Sequence, residues 1–166
     1  MRRPAVKVAY VGVVAAAYAA TTLALAPASY GPLQLRFAET LKPLVIWEPD
    51  LIPAFVLGNL LGNLGSPWPW YWELVWMPCA NLVGAWLCWR AGRVNAYLGA
   101  AVYAVVTAAA VSTMLSSVLH APLEPIALPI LASELLLIVL GVPVMWPVHL
   151  ALRRVAGYPA ENARAR

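Results

Sequence analysis

Long apolar runs alternate with short polar connections along this chain. Residues 5–26, AVKVAYVGVVAAAYAATTLALA, form one such run. Crossing a bilayer core of about 30 Å takes roughly 20 helical residues, so the run predicts a first membrane span. Residues 95–119 and 126–152 predict two more. Residues 71–90 predict another, with Glu73 at its mouth and Pro78 inside. Between 33 and 65 the pattern is broken. LQLRFAETLKPLVIW and LIPAFVLGNLLGNLG are each about 15 residues, or about 22 Å of helix, and Glu48-Pro49-Asp50 between them is a turn signal. The pattern alone leaves two short spans and one re-entrant hairpin open.

Composition agrees with the pattern. The chain is 63% hydrophobic and 11% charged, with a mean hydropathy of +0.75. A soluble domain carries about 25% charged residues, so this is an all-α integral membrane protein. The net charge of +4 comes from basic residues scattered at segment ends, which speaks against a nucleic-acid surface. Cys79 and Cys88 lie on nearly opposite faces of one helix and do not pair. MRRPAVK leads straight into the first run, without a cleavage site opening a soluble domain, which predicts an uncleaved first span.

Charge also sets the expected orientation. Arg2, Arg3 and Lys7 precede the first span, Arg90 and Arg93 follow the fourth, and Arg153, Arg154, Arg164 and Arg166 follow the last. The connections PASYGP, SPWPWYW and HAPLEP hold no Lys or Arg. The positive-inside rule then places both termini in the cytoplasm and those connections outside. Residues 153–166 read as a cytoplasmic tail.

Ionisable groups inside a membrane are costly and usually face a cavity or a partner. Arg36 and Glu39 are spaced i, i+3, which predicts a direct pair on one helix face. That pair is either a structural staple or one wall of a pocket. Asn59 and Asn63 are spaced i, i+4, as are Gly58 and Gly62, a spacing that lets helices approach closely in lipid. The Asn amides either bond a neighbouring helix or read a heterocycle. Glu134 lies in an apolar run, with no other charge between Glu124 and Arg153, and needs a partner, a proton or water. Glu73 opens a helix, where a negative charge suits the macrodipole. The Trp-rich connection suits a membrane-interface belt, or an aromatic cover in which rings such as Trp72 stack on a planar ligand. His120 reads as solvated and His149 as an interfacial anchor.

The enzyme templates fail: there is no P-loop Gly-Lys-Ser or Gly-Lys-Thr, HExxH, CxxC or Gly-x-Ser-x-Gly. No catalytic residues, metal ligands or cofactor are expected. Arg36, Glu39, Asn63, Glu73 and Glu134 on apolar helices resemble a binding pocket more than a reaction centre.

The stretch SYGPLQLRFAETLKPL, residues 29–44, resembles the signature of the QueT family, the queuosine-precursor substrate-binding (S) components of energy-coupling-factor (ECF) transporters. Gly31, Pro32, Gln34, Arg36, Glu39 and Leu41 carry the match. Gly58 and Asn63 fit the family's Gly-rich helix ending in Asn. Glu73 stands where the family usually has Asp. Glu134 and Gly141 fit its last helix. The dense Trp run is not a family feature.

The resemblance implies a six-helix bundle in the cytoplasmic membrane, with 33–47 and 51–65 as two short helices. It implies capture of a 7-deazaguanine-type base from outside, then docking on a T component coupled to two cytoplasmic ATPases. Gly12, Ala16, Ala20 and Ala24 form a small-residue stripe on the first helix; it either packs internally or meets the T component. Three alternatives remain open: an S component for another small vitamin, a membrane assembly protein whose polar residues only join helices, and a membrane enzyme using Glu39 or Glu134 as acid or base.

Overall fold

The computed structural model describes residues 4–31 and 34–155. It is a helical bundle without strands among those residues. Helix α1, Pro4–Ala24, is followed by the single turn α2, Ala26–Ser29. An extended stretch at 34–36 leads into a tight 3-10 turn, Phe37–Leu41, then α3, Leu44–Trp47. A 3-10 turn at Pro49–Leu51 opens α4, Ile52–Asn63. A π turn, Trp72–Trp76, runs into α5, Met77–Gly92. Helices α6, Ala96–Leu119, and α7, Leu123–Val155, complete the bundle.

These are seven α-helices among the described residues, where six were expected. The additional one is the single turn α2, which separates from α1 at Leu25; the expected 33–47 helix still yields one α-helix, α3, but is broken at Pro43. A proline inside the expected 33–47 helix has no N–H, and its ring clashes with the carbonyl four residues earlier, which is that of Glu39. Lys42 N takes that carbonyl instead, at 3.1 Å. The chain therefore tightens into a 3-10 turn before Pro43 and restarts as α3. Gly31 is described, whereas Pro32 and Leu33, together with Arg2, Arg3 and residues 156–166 of the expected tail, lie outside the described residues.

Three helices, α1, α6 and α7, are long and apolar enough to cross a membrane. The expected span at 71–90 is built differently, as the π turn plus the 16 residues of α5. Asn95 starts α6 by accepting hydrogen bonds at Oδ1 from the backbone of Tyr97 (2.8 Å) and Leu98 (3.2 Å), as a good N-cap does. One end of the bundle carries the Trp-rich connection. The other carries Arg90, Arg93, Arg153 and a Lys7–Asp50 ion pair of 3.0 Å. His149, expected as an interfacial anchor, is buried at this basic end. It lies 3.1 Å from Glu48 and against the rings of Trp47 and Trp146.

Small residues let the helices close up. A Cβ on Gly58 would sit 2.9 Å from Tyr18 Cβ, and one on Gly62 would sit 3.2 Å from Thr22, so α4 lies tightly on α1. The other face of α1 is bare: Gly12, Ala16, Ala20 and Ala24 are exposed, and nothing lies within 4 Å of a Cβ on Gly12. The stripe does not pack internally.

Gly141 seats the 3-10 turn on α7. A Cβ there would run into the carbonyl oxygen of Thr40 and lie 2.9 Å from Pro43. The backbone at Thr40 cannot swing aside as a side chain would. Gly141→Ala is therefore expected to cost about 1–3 kcal/mol, as overpacking does, and to displace Glu39 beside it. Thermal unfolding in detergent checks this, with Gly12→Ala as a neutral or stabilising control.

Candidate binding site

The broken segment between α2 and α3 builds the site. In a 3-10 helix, side chains three residues apart eclipse one another. Glu39 and Lys42 therefore lie on one side and form an ion pair, with both side chains essentially inaccessible to solvent. Arg36 precedes the turn, with an extended backbone (φ −87°, ψ 91°), and leaves that face. Its guanidinium donates to Asn63 Oδ1 at 3.1 Å and sits 5.5 Å from the centre of the Tyr30 ring. The expected direct Arg36–Glu39 pair is thus replaced. Lys42 holds Glu39, because the turn is 3-10 and begins after Arg36.

Asn63 continues the network toward the Trp-rich end. Its Nδ2 donates to Asn59 Oδ1 (3.3 Å) and to the backbone carbonyl of Glu73 (3.1 Å). The carboxylate of Glu73 accepts from Ser66 Oγ at 2.8 Å. The Asn pair does bridge helices, and it does so through Arg36 and Glu73. Glu73 belongs to the π turn, a departure from regular helix often found at functional sites.

Deeper in the bundle, Tyr18 donates to Glu39 Oε1 at 2.5 Å. Lys42 Nζ donates to Thr107 Oγ1 at 3.0 Å and faces the Tyr103 ring, 4.4 Å from its centre. Tyr103 in turn donates to Asn81 Oδ1 at 3.0 Å. Glu134 lies beside Glu39, within electrostatic reach of Lys42 and Arg36. It is 11 residues into α7, or about 16 Å from the start of that helix. The network therefore forms a column through the bundle interior rather than a patch at its rim.

Five ionisable side chains share this column: Arg36 and Lys42 against Glu39, Glu73 and Glu134. All five are buried. Among the described residues, Asn59 Nδ2, Glu73 Oε2 and Glu134 Oε2 along it have no hydrogen-bond partner, nor has Gln34 Nε2, two residues before Arg36 in the chain. An unpaired buried polar group costs about 1–3 kcal/mol, so such atoms in one place call for an explanation. Two are donors and two are acceptors, the pattern a mixed donor–acceptor heterocycle satisfies.

A cavity of about 450 Å³ opens at the Trp-rich end, with Tyr30, Gly31, Trp68, Leu115, Ile126 and Pro129 in its wall. Ligand pockets commonly occupy about 300–1,000 Å³. Tyr30 connects it to the column, because the same ring faces Arg36. Trp72 is not brought to this set. Its ring lies against Tyr71 and Trp76, and Trp68 occupies the cavity wall. The exposed Trp70 and Tyr71 fit an interface belt.

The structure thus joins Arg36, Glu39, Asn63, Glu73 and Glu134 into one network. Sequence reasoning missed Tyr18, Tyr103 and Thr107, which carry no signal in an apolar helix. It also passed over Lys42 as a partner, although its i+3 spacing from Glu39 was visible.

A helical membrane protein with a buried, incompletely satisfied polar network has the build of a small-molecule binding protein. The sequence model of the QueT transporter family matches residues 8–149, and the chain belongs to that family. No curated protein and no solved structure shows significant similarity to the chain.

Proposed function

We propose that the protein is the S component of an ECF importer and binds a queuosine precursor, a 7-deazaguanine-type base. The observation that supports this best is the buried column, with its surplus carboxylate and its orphaned donors and acceptors. A guanine-type base offers N1–H and an exocyclic amine on one edge, and a carboxylate accepts both in a bidentate pair. Glu134 is our choice for that edge. Glu73 faces the 7-substituent from the Trp-rich end, and Trp68 rather than Trp72 covers the base. Arg36 and Asn63 orient the ligand side of Glu73, while Glu39 anchors the deep end.

The basic end faces the cytoplasm by the positive-inside rule, so the Trp-rich cavity opens outward in the cytoplasmic membrane. A T component and two cytoplasmic ATPases supply the energy. Mass spectrometry of small molecules co-purifying with the protein tests the reading. A 7-deazaguanine is the expected finding. A different vitamin replaces the substrate, a chemically altered product argues for an enzyme, and no retained or captured molecule argues for an assembly protein.

The bare stripe of α1 is the docking face in this reading. Gly12→Trp or Ala16→Trp is expected to abolish uptake by cells while binding to the isolated subunit stays unchanged. Loss of both together would remove the docking role.

A further inference from the structure

Two non-glycine residues among those described have a left-handed backbone, Gln34 (φ 48°) and His120 (φ 51°). His120 has an ordinary structural reason: it closes α6, its N–H bonding to the carbonyl of Ser116. Left-handed residues commonly end helices in this way. Gln34 has no such reason. Its backbone N–H bonds to the carbonyl of Gly31 at 2.9 Å, and its own carbonyl accepts from Arg36 N at 2.7 Å. Glycine would make both bonds without strain, since it has no Cβ to clash. The backbone therefore does not explain the glutamine.

The side chain does. Gln34 is 3% exposed, yet its amide nitrogen has no hydrogen-bond partner. Arg36, two residues on, is a donor only and cannot accept from it. Gly31, to whose carbonyl Gln34 is bonded, lines the cavity at the Trp-rich end. A strained backbone carrying a buried, unpaired donor beside a cavity is the combination found where structure is held for binding.

We infer that Gln34 is a substrate-reading residue whose side-chain amide donates to a carbonyl-type acceptor on the ligand. The inference deepens the proposed function and rests on it for the chemistry of the ligand. In a guanine-type base that acceptor is the 6-oxo group. It adjoins the N1–H edge assigned to a carboxylate, so one face of the ring is read by acceptor and donor side by side. Asn59, with the second unpaired amide nitrogen, adds a donor on the neighbouring wall.

The test compares 7-deazaguanine with its 6-thio analogue, which keeps N1–H but offers a thione, a weaker acceptor. Binding to detergent-purified protein is measured by titration calorimetry for the wild type, Gln34→Gly and Gln34→Asn. Asn tolerates the left-handed backbone and guards against a folding defect, while its amide falls one methylene short. The wild type is expected to prefer the oxo compound by about tenfold, the worth of one hydrogen bond to a buried donor. Both variants should bind 7-deazaguanine about tenfold more weakly and lose that preference. Gln34→Gly should also melt no earlier than the wild type, because strain is relieved. A residue with a purely structural role would give the opposite on melting. Unchanged binding, or a preference retained in both variants, overturns the inference. If the wild type binds neither compound, the deazaguanine reading falls. The small-molecule content of purified wild type and Gln34→Gly, by mass spectrometry, then decides separately: loss of a co-purifying molecule in the variant supports the role of Gln34, and equal retention overturns it.

Discussion

Lys42→Met is expected to destabilise the protein by about 3–5 kcal/mol, the usual result of removing one partner from a buried ion pair. Methionine keeps the length of the side chain and fits an apolar interior, so packing is nearly conserved. What is lost is the counter-charge in direct contact with Glu39, which keeps the hydrogen bond from the hydroxyl of Tyr18, while Thr107 Oγ1 loses its donor. Glu134 worsens the situation, since it lies beside the same carboxylate. The double variant Lys42→Met with Glu39→Gln should recover much of the loss, because it no longer leaves a buried charge unpaired. Equilibrium unfolding in detergent for both single variants and the double variant measures the coupling between them. Additive losses would mean that the pair contributes nothing beyond its separate side chains.

Glu134→Gln is expected to weaken binding of 7-deazaguanine by at least about tenfold, or about 1.4 kcal/mol, without lowering stability. The substitution keeps volume and replaces a carboxyl group that faces Glu39 with an amide. An amide can donate to that neighbouring carboxylate, so the contact between the two side chains is kept as a hydrogen bond. Truncating one side of a buried charge-assisted pair with a ligand typically costs about 2–5 kcal/mol, and the apolar surroundings of Glu134 strengthen such a bond. Adenine should not compete in the wild type, because its N1 is an acceptor where guanine has a donor. Unchanged binding in Glu134→Gln together with strong competition by adenine would remove the assignment of the base edge to this residue.

How legible these residues were depended on what each one costs. Glu134 stands out in the sequence because a charge in a long apolar run is expensive wherever the run folds. Arg36, Glu39, Asn63 and Glu73 stand out for the same reason, and the structure gathers them. Their pairing was not legible. The i, i+3 rule links both Arg36 to Glu39 and Glu39 to Lys42, and only the point at which the turn begins separates the two. Trp72 illustrates a second limit. Among several Trp residues in one short connection, nothing local distinguishes the ring that lines a cavity from the one that stacks on its neighbours.

Hydropathy by itself determined that the chain is a helical membrane protein, because the energetic demand of the bilayer is met by composition and run length alone. The motif around Arg36 and Glu39 pointed to the family by its resemblance to the family signature, while the cost of charges in lipid marked the same residues as in use. Only the tertiary structure decided that the expected 33–47 helix breaks at Pro43 and that Gly141 seats the resulting 3-10 turn. It also decided that Lys42 rather than Arg36 answers Glu39, and that Gln34 holds a strained backbone with an unpaired amide. Gly141 is distant in sequence from the turn it seats; the other pairings are local, and the spacing along the chain does not choose among them. Side-chain direction follows from a local backbone geometry that packing against α1 and α7 selects, and no spacing rule along the chain contains that information.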